Sequence, residues 1–221
     1  MLKAVLFDMD GVIVDTEPLH KKAYFLMFEA FKIKVPLDLY ESFTGQSTIT
    51  ICRKLCNIYK LNNTPEALVQ SKRRSFLKLF ENDPSLQLID GVLDLIENYH
   101  NSGLTLILAS SASMFTINSV FARFDLNKYF KAKISGADLK ASKPHPEIFE
   151  KAAKLAGFSK KQCIVIEDST NGIKAAKSAG IFCVGFNSFH SKNQDYTLSD
   201  LEINDFSYIF YEKINKILNN I

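Results

Sequence analysis

The chain has 221 residues, enough for one large domain or for a core with a modest second domain, and its 47% hydrophobic and 23% charged content is that of an ordinary globular protein. With 27 basic and 24 acidic residues the net charge is only +3, too balanced to argue for a nucleic acid or a membrane surface as partner. No apolar run is long enough to span a bilayer, and the run at residues 2–7 is too short, and too soon cut by Asp8 and Asp10, for a secretory signal, so a cytoplasmic location is expected.

The first short apolar run, residues 4–7, has the character of a strand buried on both faces. A helical stretch follows. Ala23, Leu26, Met27, Ala30 and Phe31 repeat at helical spacing, as do Ile51, Leu55, Ile58 and Tyr59, and Val69, Phe76 and Phe80 suggest a third helix. Pro18 suits an early helical position with Thr16 as a candidate cap, and Pro84 and Gly91 mark the chain's return. Strand-like runs then recur at 104–109, more weakly at 132–134, and again at 164–166 and 181–184, with helical patterns near 91–101, 114–124, 146–156 and 171–179. Strand–helix–strand alternation predicts an α/β fold, a Rossmann-like doubly wound parallel sheet core built from residues 1–14 and 91–221. Residues 15–90 form an inserted all-helical cap domain. Residues 188–205 are polar and read as surface loops before a last helix near 211–219. Of the four cysteines, Cys163 and Cys183 lie in strand-like runs, and Cys52 and Cys56 share a helix face without further zinc ligands nearby; all read as free thiols.

Chemically distinctive residues follow separate strand-like runs: Asp8 and Asp10 the first, Ser110 the second, Lys143 the weak one, Glu167 and Asp168 the run at 164–166. In a parallel sheet the carboxyl ends share one edge, where ligands bind, so these residues are expected to meet in one pocket. Carboxylates crowded there would repel one another, and Mg2+, which prefers hard oxygen ligands, relieves the repulsion. Asp8 is then a candidate nucleophile towards a phosphate, with Mg2+ and the lysine ammonium offsetting the charge that develops. Gly11 marks a turn that lets Asp10 act as general acid and then base. Ser110 and helix N-terminal N–H groups would hold phosphate oxygens. Singly, each feature has a plainer reading: Asp-x-Asp as a turn, Asp168-Ser169-Thr170 and Ser110 as helix caps, Lys143 as a solvated loop residue. Their joint occurrence in this order argues for a site. The sequence has no G-x-x-x-x-G-K-[ST] loop, no G-x-G-x-x-G after the first run and no H-E-x-x-H, and His20, His100, His145 and His190 are scattered.

Phe7-Asp8-Met9-Asp10-Gly11-Val12-Ile13-Val14-Asp15-Thr16, Leu108-Ala109-Ser110-Ser111, Lys143-Pro144-His145-Pro146-Glu147-Ile148-Phe149 and Ile166-Glu167-Asp168-Ser169-Thr170-Asn171-Gly172-Ile173 resemble, in order, the motifs of the haloacid dehalogenase superfamily. The resemblance spans nearly the whole chain and is nearest to the branch with a helical cap, which holds β-phosphoglucomutases and sugar-phosphate phosphatases. It implies Asp8 as nucleophile, Asp10 as acid and base, and Ser110, Ser111 and Lys143 as phosphate holders. It also implies Mg2+ bound by Asp8, the Asp10 carbonyl, Asp168 and Glu167. His20 and Lys72 resemble a cap histidine and lysine that couple closure to catalysis. The cap loop around Gly45 would contact substrate, but Thr48 stands where the mutases carry an arginine for a second phosphate. The resemblance therefore implies a Mg2+-dependent phosphatase of small phosphorylated metabolites, sugar phosphates foremost, through an aspartyl-phosphate. A β-phosphoglucomutase is the alternative, and a non-catalytic binding protein is a second one that intact Asp8, Asp10, Lys143 and Asp168 argue against. No nucleic acid or membrane partner is expected, and a monomer is favoured.

Overall fold

The structure, a computed structural model, describes every residue except Thr44, Gly45, Ser85, His190, Lys192 and Ile221. Its elements run β1 (Ala4–Phe7), α1 (Glu17–Ala30), α2 (Leu37–Glu41), α3 (Thr48–Tyr59), α4 (Pro65–Asn82), α5 (Val92–Asn101), β2 (Thr105–Ser110), α6 (Met114–Arg123) and β3 (Phe130–Ser135). They continue with α7 (Glu147–Ala156), β4 (Cys163–Glu167), α8 (Thr170–Ser178), β5 (Phe182–Phe186), β6 (Leu201–Ile203) and α9 (Tyr211–Asn219). The chain divides into two compact units, Met1–Asp15 with Gln87–Ile221, and Thr16–Leu86.

All residues of β1, Ala-Val-Leu-Phe, are buried. A strand without a polar position belongs where both faces are covered, in the interior of a parallel sheet. The sheet order is β3-β2-β1-β4-β5-β6, every pairing is parallel, and β1 lies between β2 and β4. Ala4 and Leu6 join Ile107, Val165 and Cys183 in an apolar layer with residues of α7 and α8. Phe7 lies against Tyr99 of α5 and Phe130, at ring-centroid distances of 6.3 and 5.6 Å. The sheet is thus doubly wound, as the alternation of apolar runs implies. Phe7 pairs with Leu108 on one side and Ile166 on the other, so Asp8 leaves β1 beside Ala109 of β2 and Glu167 of β4.

The stretch expected to be surface loops holds β6, which adds an edge strand to β5. Asp200 anchors it: its carboxylate accepts the Cys183 N–H at 2.8 Å and is held by Lys177 at 2.6 Å. Val14 forms an antiparallel bridge with Leu88, and the Ile89 N–H donates to the Ile13 carbonyl at 2.9 Å. The segments that leave and re-enter the larger unit therefore run together.

In the helical unit, α1 and α3 pack on α4. Its core includes Tyr24, Met27, Phe28, Ile51, Leu55 and Leu68. The hydroxyls of Ser47 and Thr64 accept the Thr50 and Ala67 N–H groups and so cap α3 and α4. Thr16 precedes α1 without a side-chain cap bond. The cysteines are free, with Cys52, Cys163 and Cys183 buried. Among the described residues no helix is long and apolar enough to cross a membrane.

Candidate active site

The strand order reverses between β1 and β4. β1 is continued in the sheet by β2 on one side, whereas β4 is continued by β5 on the other. Connections that diverge in this way leave a crevice at the carboxyl ends of the two strands. Asp8 stands there, its N–H bonded to the Ile166 carbonyl at 3.0 Å. The backbone then turns sharply, and the Met9 carbonyl accepts the N–H groups of Val12, Ile13 and Val14 at 3.3, 2.8 and 3.1 Å. Gly11 makes this turn with φ +84°, and a Cβ there would overlap the Asp168 carboxylate, so glycine is required twice over. Asp10 sits in the turn, half-buried and bridged to Val14.

Lys143 arrives on the loop after β3, with a cis peptide bond to Pro144. Its ammonium donates to Asp8 Oδ1, to Glu167 Oε1 at 2.6 Å and to the Ala109 carbonyl at 3.1 Å. Phe149 lies beneath, its ring centroid 4.9 Å from Nζ. Glu167 is engaged at its other oxygen as well, where Oε2 accepts both the N–H and the hydroxyl of Ser169 at 2.9 Å. Ser169, not Asp168, caps α8, accepting the Gly172 N–H at 3.1 Å. Asp168 Oδ2 accepts the Ser191 hydroxyl, and its backbone carbonyl accepts the Tyr196 hydroxyl at 2.9 Å.

These groups are deeply buried: Asp8 is 6%, Lys143 8%, Glu167 1% and Asp168 7% exposed. Burial pushes the Asp8 pKa up to about 7; Lys143 opposes this, and the charges of Glu167 and Asp10 add to it. Burial, with Glu167 and Asp8 as like charges, raises Asp168 well above the carboxylate range. Burial alone would lower Lys143, but the Asp8 and Glu167 carboxylates prevail and hold its pKa above the usual lysine value. One ammonium thus faces a surplus of carboxylate. Among the described residues no three His, Cys, Asp or Glu side chains are gathered as a metal cluster. A magnesium ion needs fewer, since it keeps several waters and takes one or two carboxylates with substrate phosphate. Asp8 and Asp168 fit that requirement: both are hard oxygen donors, the single Lys143 ammonium is already shared by Asp8 and Glu167, and a divalent cation would supply the missing positive charge.

Ser110 ends β2 buried, and its hydroxyl accepts the Ala112 N–H at 3.1 Å. Ser111 is exposed in the same turn, where α6 begins under the Ser113 cap. In the helical unit the Lys72 ammonium meets His20 Nδ1 at 2.6 Å, and His20 stacks on Phe76 at 4.3 Å. Lysine can only donate, so Nδ1 is the acceptor and the ring proton sits on Nε2. Burial and the Lys72 charge lower the His20 pKa well below the usual histidine value, which keeps the ring neutral. Gly45 lies outside the described residues, and Thr48 is the first residue of α3. The structure therefore brings Asp8, Lys143 and Glu167 into direct contact and places His20 with Lys72. Sequence reasoning missed Ser191 and Tyr196. Their residue types carry no signal in a polar stretch without periodicity.

A model of haloacid dehalogenase-like hydrolases matches residues 5–186. The chain is 31% identical over 224 residues to the phosphorylated carbohydrates phosphatase of Thermotoga maritima, with 100% of both chains covered. It is 31% identical over 189 residues to the β-phosphoglucomutase of Bacillus subtilis, with 83% of each covered. Among solved structures, the β-phosphoglucomutase of Clostridium difficile has a TM-score of 0.85 at 25% identity, over 100% of this chain and 98% of that one.

Proposed function

The chain belongs to the haloacid dehalogenase-like hydrolase family and is a phosphohydrolase or phosphotransferase, and we propose that it is a Mg2+-dependent phosphatase of small sugar phosphates that works through an aspartyl-phosphate on Asp8. The observation that carries this reading is the buried contact of Lys143 with Asp8 and Glu167 at the point where the strand order reverses. A purely structural ion pair gains nothing from a further buried carboxylate, Asp168, whose charge the Asp8 charge opposes. A site that must bind a cation and a phosphate does. Similarity along the whole chain to a phosphatase of phosphorylated carbohydrates supports the substrate class.

An Asp8 carboxylate oxygen attacks phosphorus, the bond from phosphorus to the sugar oxygen breaks, and Asp10 protonates the departing oxygen. Water then attacks the aspartyl-phosphate and gives its proton to Asp10. Inorganic phosphate leaves and Asp8 is regenerated. Lys143 holds Asp8 in place and offsets charge on the transferring group. Ser110, Ser111 and N–H groups at the start of α6 receive phosphate oxygens. Glu167 orients Lys143 and completes the negative surround of the cation. Asp8, Asp168 and the Asp10 carbonyl would hold Mg2+, which would supply the positive charge that lets two anions approach. His20, Lys72 and Gly45 of the helical unit are proposed as substrate-binding residues.

The same phosphoryl-enzyme serves a mutase if a sugar hydroxyl replaces water as acceptor, and the similarity to β-phosphoglucomutase favours that second reading. Thr48 favours water, because a hydroxyl grips a second phosphate less firmly than a bidentate arginine does. Phosphorus NMR of hexose and polyol phosphates with Mg2+, including β-glucose 1-phosphate with a trace of glucose 1,6-bisphosphate, separates the two. Release of inorganic phosphate, abolished by Asp8→Asn, is the expected result. Conversion to glucose 6-phosphate without release would make the protein a mutase. Undiminished turnover in Asp8→Asn would overturn the nucleophile.

A further inference from the structure

The polar stretch between β5 and β6 grips the turn that carries Asp168. The Ser191 hydroxyl donates to Asp168 Oδ2, and the Tyr196 hydroxyl donates to the Asp168 carbonyl at 2.9 Å. Two residues on, Gln194 Oε1 accepts the Thr170 N–H at 2.9 Å, and the Asp195 N–H donates to Thr170 Oγ1 at 2.7 Å. Residues 195–197 are themselves fixed. Tyr196 is 9% exposed and packs into the apolar layer under β4 and β5, and Asp195 Oδ1 takes both the N–H and hydroxyl of Thr197.

Capping does not require these bonds to Asp168, because Ser169 already serves α8. Nor do they only fill space. A Cβ on Gly11 would lie 2.8 Å from Ser191 Oγ, so Ser191 touches both Asp168 and the turn that bears Asp10. Tying one carboxylate oxygen and the carbonyl of the same residue removes both the side-chain rotation and the backbone freedom by which Asp168 could move. A ligating carboxylate held in this way binds its ion without first being ordered.

We propose that Ser191 and Tyr196 are positioning residues for the divalent cation: Ser191 sets the rotation of the Asp168 carboxylate and Tyr196 holds the backbone beneath it. This rests on the reading of Asp168 as a metal ligand, and the test separates the two. Mn2+ binding is measured by electron paramagnetic resonance on the full chain and on Ser191→Ala, Ser191→Thr, Tyr196→Phe and Asp168→Asn, with thermal melts of each metal-free protein. Ser191→Ala and Tyr196→Phe are each expected to weaken Mn2+ binding about tenfold, the lower end for residues that orient a ligand. Ser191→Thr should restore it. The Mg2+ concentration for half-maximal turnover should rise in parallel, while kcat at saturating Mg2+ stays within about twofold of the parent, since an orienting group acts through metal affinity. Wild-type Mn2+ affinity in Ser191→Ala overturns the role of Ser191, and in Tyr196→Phe that of Tyr196. If Tyr196→Phe lowers the metal-free melting temperature, Ser191→Ala decides the proposal. Wild-type affinity in Asp168→Asn overturns the ligand reading itself.

Discussion

Asp8 meets opposed demands. Burial and the neighbouring carboxylates favour its proton, whereas a nucleophile must be ionised, and Lys143 is the group that tilts the balance towards the charged form. The consequence for stability has a definite sign. Its pKa in the folded protein, about 7, lies above the ordinary 3.8, so the folded state binds this proton more tightly than the unfolded state does. The stability that follows is fully present below the ordinary pKa and is lost as pH rises through the folded one. In chelator, the melting temperature of the parent protein should therefore fall relative to Asp8→Asn as pH rises from about 4 to about 7. Added Mg2+ should restore more of it at the upper end, where the carboxylates are charged. A difference between the two proteins that does not change across this range would show that Asp8 holds no such proton.

At the scale of elements, α8 joins fold to site. Gly172 lies in its first turn, where alanine would ordinarily gain about 1 kcal/mol of helix propensity. Here the added Cβ would overlap the Glu167 carboxylate and push it from Lys143. Gly172→Ala is therefore expected to destabilise the protein by about 2 kcal/mol in urea titration, as overpacking does, and a gain in stability would refute the contact. β1, β2, β4 and β5 were legible because burial on both faces demands continuous apolar runs. β3 was fainter because Lys131, at an exposed position, and Lys133, at a half-covered one, interrupt it. β6 was invisible: three residues with only Ile203 buried show no period, and α2 is likewise too short. The residues now found around Asp8 stood out because each follows a readable strand. Ser191 and Tyr196 reach Asp168 through hydrogen bonds formed from an irregular segment, and no local pattern encodes those.

At the scale of the whole chain, the insertion leaves the larger unit at Asp15 and returns at Gln87. The Val14–Leu88 bridge holds the two ends of that unit together, so a short linker could join them. Each unit also has its own apolar core. Replacing residues 16–86 by a short Gly/Ser linker should therefore leave a chain that melts cooperatively in circular dichroism and still binds Mn2+, because Asp8 and Asp168 both remain. Loss of cooperative melting would show that the larger unit depends on the insertion to fold.

The interior position of β1 also imposes an order in time. Its neighbours begin at Thr105 and Cys163, and both are made only after the whole helical insertion. The helices between Thr16 and Leu86 have their packing partners within that span and can close while the sheet still has a single strand. Until Thr105 emerges from the ribosome, the newborn chain carries Ala-Val-Leu-Phe unpaired, a short apolar segment suited to adhere to other chains. Its brevity and the two aspartates that follow it limit that hazard. Asp8 and Asp10 thus guard the nascent strand against aggregation before there is a crevice for them to serve.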